Sequence, residues 1–256
     1  ENGVVIKTGD FDVTLAAMQK AKVVLNIPAL KNIGQDYALN IFAFTKTKTA
    51  LVPQHHEVAR EQFLLKQTDF AQVIKQATSN LKVTSKKKGN NLELGSGGIT
   101  ALFNLKKGEL VSYEKNGQPI LTKMPQPYFW RATTDNDFGN KMNLKSALWR
   151  SAQTDLVVQN IKTTENESGV TVTFDYKFSY NKATYRLTYT FLNGGAMVIN
   201  AAIDNVEGLP ELPRFGMRMD LGSEFDNLEY YGRGPWENYS DRKWSSLLGI
   251  YQDKPE

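Results

Sequence analysis

The chain has no cysteine and only two histidines in 256 residues. Without cysteine there is no disulfide, no thiolate nucleophile and no thiolate-ligated zinc. Compartment is not decided by this, because an exported protein can lack cysteine too, and no residue marks a periplasmic or a cytoplasmic address. The histidines, His55 and His56, are adjacent. On a strand, neighbours point to opposite faces, so the pair is badly placed to share one metal. Nothing around them completes a Ser-His-Asp arrangement. No apolar run approaches the length of a membrane span. Dense basic character is missing as well. The formal net charge is +4, but the lysines are scattered, and the triplet Lys86-Lys87-Lys88 reads as a solvated hairpin tip. A nucleic-acid groove asks for a denser basic stripe interleaved with exposed aromatics. The opening residues Glu1-Asn2-Gly3-Val4 lack the charged-then-apolar pattern of a secretion signal. They read as the middle of something longer.

What the chain has is strand-forming sequence. Aromatic residues reach 11%, with 13 Phe and 11 Tyr, which favours pleated, half-buried segments. Residues 1–66 read as a small β unit. Within it, residues 22–28 read as an apolar strand ended by Pro28. Over 37–46, Tyr37, Leu39 and Ile41 alternate with Asn40, Phe42 and Phe44, as in a sandwich strand. Residues 58–65 read as its partner. Residues 67–80 are polar and read as a linker with room for a helical turn. From Leu81 the pattern is a meander. Strands over 81–85 and 91–94 flank the lysine turn, 95–98 is a loop, and strands over 99–105 and 109–113 are joined by Lys106-Lys107-Gly108. Asn116-Gly117 is a hairpin dipeptide. Over 170–178, Val170, Val172, Phe174, Tyr176 and Phe178 share one face against Thr171, Thr173, Asp175 and Lys177. Tyr185, Leu187, Tyr189 and Phe191 repeat the pattern, and 196–204 follows after Asn193-Gly194-Gly195. Many short antiparallel strands and little helix predict an all-β sandwich. Residues 141–151 are the best helix candidate.

Two aromatic-rich runs carry the candidate chemistry. The first, 128–139, holds Trp130, Arg131, Asp135, Asn136, Asp137, Phe138 and Gly139. The second, 228–242, holds Arg233, Trp236, Glu237, Asn238, Tyr239 and Arg242. Flat rings beside carboxylates, amides and arginine suit a sugar, with its C–H patches and rims of hydroxyls. On an extended backbone, Asp135 and Asp137 would face the same way roughly 7 Å apart, near the separation of glycosidase carboxylate pairs. The same residues also suit an Asx-rich turn that caps backbone N–H groups. Gly139 suits a hinge or a plain turn. Arg233, Arg242 and Glu237 suit an ion-pair network, and Arg214 and Arg218 suit pairing with Glu229 or Asp220.

Three ordered motifs resemble the C-terminal part of the large β-galactosidases of glycoside hydrolase family 2. The pattern W-R-A-x-x-D-N-D-x-G is met by Trp130-Arg131-Ala132, Asp135-Asn136-Asp137 and Gly139. P-R-x-G is met by Pro213-Arg214 and Gly216. G-x-G-P-x-E-N-Y-x-D-R is met by Gly232, Gly234-Pro235, Glu237-Asn238-Tyr239 and Asp241-Arg242. The departure is Thr133-Thr134, where many relatives carry a proline. The resemblance implies a partial immunoglobulin-like domain over 1–66, a linker over 67–80, and the start of a galactose-mutarotase-like β super-sandwich over 81–256. It implies a piece of a longer enzyme that hydrolyses terminal β-D-galactosyl bonds, with the catalytic glutamates and the magnesium and sodium ligands in a barrel domain before Glu1. No catalytic residue and no metal ligand is then expected in this chain. The implied partners are a galactoside, reached through the parent enzyme, that barrel, and further copies in a homo-oligomer; neither nucleic acid nor membrane is among them. Residues at the site mouth would be Arg131, Asp135, Asn136, Asp137, Gly139, Trp236, Glu237 and Asn238, with 139–144 as a lid segment. A stand-alone carbohydrate-binding module and a structural or oligomerisation segment are the rival readings. An aldose epimerase of the same fold would need a histidine in the sandwich, and both histidines lie in the N-terminal unit.

Overall fold

Side-chain alternation sets the architecture. In the computed structural model, which describes residues 1–30, 34–69, 79–239 and 241–254, strand β10 (Gly169–Phe178) buries Val170, Val172, Phe174, Tyr176 and Phe178. Strand β11 (Thr184–Leu192) buries Tyr185, Leu187, Tyr189 and Phe191. The two pair antiparallel, with Phe174 opposite Leu187 and Tyr176 opposite Tyr185. Strands β9 (Leu156–Asn166) and β12 (Met197–Asp204) complete a sheet in the order β12-β11-β10-β9.

A second sheet runs in chain order through β3 (Thr84–Lys88), β4 (Asn91–Ser96), β5 (Ile99–Asn104), β6 (Glu109–Lys115) and β7 (Gln118–Pro119). It sends Leu92, Leu94, Ala101, Phe103 and Leu110 into the same core. Phe103 meets Tyr189 edge-on at 5.3 Å. Two antiparallel sheets that share one apolar core form a sandwich, and each large buried side chain contributes about 1.5–3 kcal/mol. A two-stranded sheet joins β8 (Leu121–Tyr128) to β13 (Gly216–Leu221). Gly169 is required where it stands. Its φ is +150°, and a Cβ there would lie 2.1 Å from the Phe191 carbonyl oxygen.

These strands belong to one unit, residues 74–225. The other unit joins residues 1–73 to residues 226–256. There β1 (Tyr37–Phe44) pairs with β2 (Glu57–Lys66), and β14 (Leu228–Gly234) pairs with β15 (Leu247–Asp253). Buried Asp36 is a hub between the two hairpins. Its carboxylate accepts from the Thr68 backbone at 2.6 Å and from the Tyr231 hydroxyl at 2.9 Å. Burial, and next the Asp36 hydrogen bond, push the Tyr231 phenol up to about 12.

Several local expectations need correction. Residues 22–28 form no strand, and Val24 is 86% exposed. An apolar run makes a strand only where a partner edge is available, and none pairs there among the described residues. Lys86-Lys87-Lys88 lies within β3, not at the hairpin tip; the turn is Gly89-Asn90. Gly95 and Ser96 extend β4, which leaves only Gly97-Gly98 as the turn. The helix expected over 141–151 breaks into a single turn, Met142–Lys145, followed by a 3₁₀ turn, Ala147–Trp149. The linker with its helical turn lies largely outside the described residues.

Candidate functional site

Thr134 and Asp137 stand three apart, the spacing of a capping box. They start a one-turn helix, α1 (Asp135–Gly139). The Thr134 backbone N–H donates to Asp137 Oδ2 at 2.9 Å, and the Asp137 N–H donates to Thr134 Oγ1 at 3.4 Å. Arg131 forks onto the same carboxylate, with Nη2 to Oδ1 at 2.8 Å and Nη1 to Oδ2. The Arg131 hydrogen bond first, then the Thr134 backbone, hold the Asp137 carboxyl down to about 2. Asp137 is therefore a fixed anion already supplied with donors, which organises the turn and orients Arg131.

The extended backbone expected for Asp135-Asn136-Asp137 is not what forms. A helix turns about 100° per residue, so Asp135 and Asp137 do not share a face. Asp135 and Asn136 are exposed. Gly139 closes α1; a Cβ there would touch nothing within 4 Å and its φ is not positive, so this backbone does not demand glycine. Lys141, at φ +60°, then leads into α2 (Met142–Lys145).

A half-open cleft of about 540 Å³ lies beside these elements, lined by Arg131, Asp137, Asn140, Met142, Lys145 and Ser146 and, across from them, by residues 209–213. The Lys145 ammonium donates to Asn140 Oδ1 at 2.9 Å. The far wall is pinned from the core: Trp149, fully buried, donates its indole N–H to the Pro210 carbonyl at 2.8 Å. Sequence reading held Asn140 only as part of the 139–144 lid segment, and it missed Lys145 and the 209–213 wall. The available signal was Pro210 and Pro213 bracketing Glu211, a short rigid segment poor in backbone donors.

The remaining predicted residues, Trp236, Glu237 and Asn238, lie in the unit formed by 1–73 and 226–256, on the loop between β14 and β15. Arg233 braces that loop by donating to the Lys243 and Ser246 carbonyls at 3.2 and 2.8 Å. Asn238 Nδ2 donates back to the Arg233 carbonyl at 3.2 Å. Of the expected ion-pair network, Arg242 meets Glu237 at 3.6 Å while Arg233 goes to backbone. An exposed pair of this kind contributes about 0–1 kcal/mol. Trp236 and Trp244 are 60% and 69% exposed, whereas Trp130 lies under Arg150 at 4.8 Å. Arg218 pairs with Asp220 at 3.8 Å, and Arg214 lies over the Tyr128 ring. Among the described residues, no group of three or more His, Asp or Glu is placed to hold a metal ion.

Known proteins match along the chain. The family described as the β-galactosidase small chain matches residues 95–256, and domain 4 of β-galactosidase matches residues 1–66. A β-galactosidase of Priestia megaterium is 32% identical over 222 residues, which is 87% of this chain and 21% of that protein. One from Clostridium acetobutylicum is 29% identical over 256 residues, 98% of this chain and 28% of that protein. The β-galactosidase small subunit of Latilactobacillus sakei is 30% identical over 172 residues, 59% of this chain and 54% of that protein. The chain thus spans between a fifth and three tenths of the length of the first two relatives.

Proposed function

This chain belongs to the β-galactosidase small chain family, and on that footing we propose that it is a non-catalytic part of a β-galactosidase. In this reading it braces a catalytic barrel carried elsewhere in the enzyme and borders the mouth of the galactoside site. The parent reaction is hydrolysis of terminal β-D-galactosyl bonds by two carboxylates. The observation that carries the reading is the ordered pair of matches, domain 4 over 1–66 and small chain over 95–256. The chemistry of the first motif supports the non-catalytic assignment. A glycosidase acid needs its pKa raised toward neutrality. Asp137, held down to about 2, does not suit that acid, and both its oxygens are already taken by Arg131 and Thr134, which leaves neither free to act as a nucleophile.

The test is an assay with a chromogenic β-galactoside. The expected result is no turnover by the chain alone, and loss of turnover when its residues are deleted from the polypeptide that carries them. Hydrolysis by the chain itself, free of contaminating enzyme, overturns the assignment.

A further inference from the structure

We propose that the cleft between α1–α2 and residues 209–213 is a saccharide-binding subsite held wholly within the 74–225 unit, with Asn140, Lys145 and Glu211 as its polar contacts. The choice of galactosides as ligand rests on the β-galactosidase reading; the argument for a polyol rests on the cleft itself.

The two walls differ in hydrogen-bonding sense. One side offers donors. The Asn140 amide bears two N–H groups, and the Lys145 ammonium spends one of its three on Asn140 Oδ1. The other side offers acceptors. Residues 209–213 read Leu-Pro-Glu-Leu-Pro, so two of the five lack an N–H, and of the five carbonyls Pro210's is already engaged by the Trp149 indole. The Glu211 carboxylate adds a strong acceptor on an exposed side chain. A hydroxyl both donates and accepts, so a ring of hydroxyls satisfies both walls at once, which neither a simple anion nor a simple cation does.

Charge points the same way. Arg131 and Lys145 are balanced by Asp137 and Glu211, so the cleft carries no net formal charge to attract an ionic ligand. Met142, Leu209 and Leu212 give apolar surface for the C–H face of a sugar ring. The volume of about 540 Å³ falls within the roughly 300–1,000 Å³ range of small-molecule sites. Both walls are held before any ligand arrives, one by the capping box with its Arg131 fork and the other by the Trp149 indole. A preformed site loses less affinity to ordering.

The test is a titration of the isotope-labelled 256-residue chain, followed by amide shifts, with methyl β-D-galactoside, lactose and inorganic phosphate in separate arms. The expected result is saturable shifts at 131–146 and 209–213 with either sugar, at a Kd on the order of 1 mM, and none with phosphate. Lys145→Ala and Glu211→Ala should each weaken binding by about tenfold, about 1.4 kcal/mol, with the melting temperature unchanged because both side chains are exposed. No saturable shift with sugar, the same shifts with phosphate, or unaltered binding in both variants overturns the proposal. Those results leave the hydrolase role standing, because that role is read from deletion in the parent polypeptide and not from sugar binding by this chain.

Discussion

The side-chain amide of Gln62 takes both backbone groups of Leu248. Its Nε2 donates to the Leu248 carbonyl at 2.9 Å, and its Oε1 accepts the Leu248 N–H at 2.8 Å. One side chain on β2 thus substitutes for a strand partner along β15 and ties residues far apart in sequence into one unit. Only an amide has a donor and an acceptor in that geometry. Gln62→Leu leaves both Leu248 groups unmet in a half-buried place and should cost about 1–3 kcal/mol. Hydrogen exchange at the Leu248 amide should accelerate while amides of β10 and β11 keep their protection. Unchanged exchange at Leu248 would show that the bridge is not formed in solution.

The Arg131–Asp137 fork predicts a specific acid response. The folded Asp137 carboxyl titrates at about 2, below the roughly 3.9 of an unfolded aspartate. A depressed folded value means stability that is present above about pH 4 and lost as pH falls toward 2. A carboxyl-resolved NMR titration should place the Asp137 midpoint near 2, and Arg131→Gln should raise it toward about 3.9. Asp137→Asn should flatten the acid limb of the stability curve between about pH 4 and 2. An Asp137 midpoint near the unfolded value in the unaltered chain would sink this account.

How far the sequence revealed these arrangements depended on whether periodicity survived. Val170 to Phe178 keeps strict period two, so the faces of β10 were legible. On β9, Leu156 and Val158 turn inward but the next such residue is Ile161. A bulge, recorded in the pairing with Asp175 and Tyr176, shifts the phase by one residue and hid that strand. Pro125 and Pro127 hid β8 for another reason, since proline argues against a strand. Pro125 falls where the pairing with β13 slips, between Gln126 opposite Arg218 and Lys123 opposite Asp220, and proline is tolerated at such a bulge. At the candidate site, the reading of a turn whose carboxylates cap backbone N–H groups fits Asp137, but it did not use the Thr134–Asp137 spacing, which already spelled a capping box and hence a helix start. The facing wall at 209–213 could not be read, because nothing local says which segment Trp149 will hold.

Trp149 links that wall to the core. Its ring is fully buried and meets Phe178 edge-on at 5.9 Å, while its N–H serves the Pro210 carbonyl. Trp149→Phe keeps most of the apolar packing and strands the carbonyl, at an expected cost of about 1–3 kcal/mol in urea unfolding. Trp149→Ala also opens a cavity and should cost about 3–5 kcal/mol. If both substitutions cost the same, packing alone would explain the residue and the hydrogen bond would carry no weight.

Two buried tyrosines on paired strands should respond with opposite sign to the same change. Tyr176 donates its hydroxyl to the Gly108 carbonyl. Tyr185, directly opposite it in the sheet and 1% exposed, has a hydroxyl with no partner among the described residues. Burial pushes the phenols of both upward, Tyr185 to about 12, so each is neutral at physiological pH. The Tyr185 ring still packs edge-on against Phe129 at 5.6 Å and beside Tyr176 at 6.0 Å, contacts that phenylalanine retains. Tyr185→Phe therefore removes only a desolvated, unpaired hydroxyl and should leave stability unchanged or raise it by about 1 kcal/mol. Tyr176→Phe removes a made bond, strands the Gly108 carbonyl, and should lower stability by about 1–3 kcal/mol. Denaturant unfolding of the two single variants under identical conditions decides the matter. A loss of more than about 1 kcal/mol from Tyr185→Phe would mean that its hydroxyl is satisfied in solution after all.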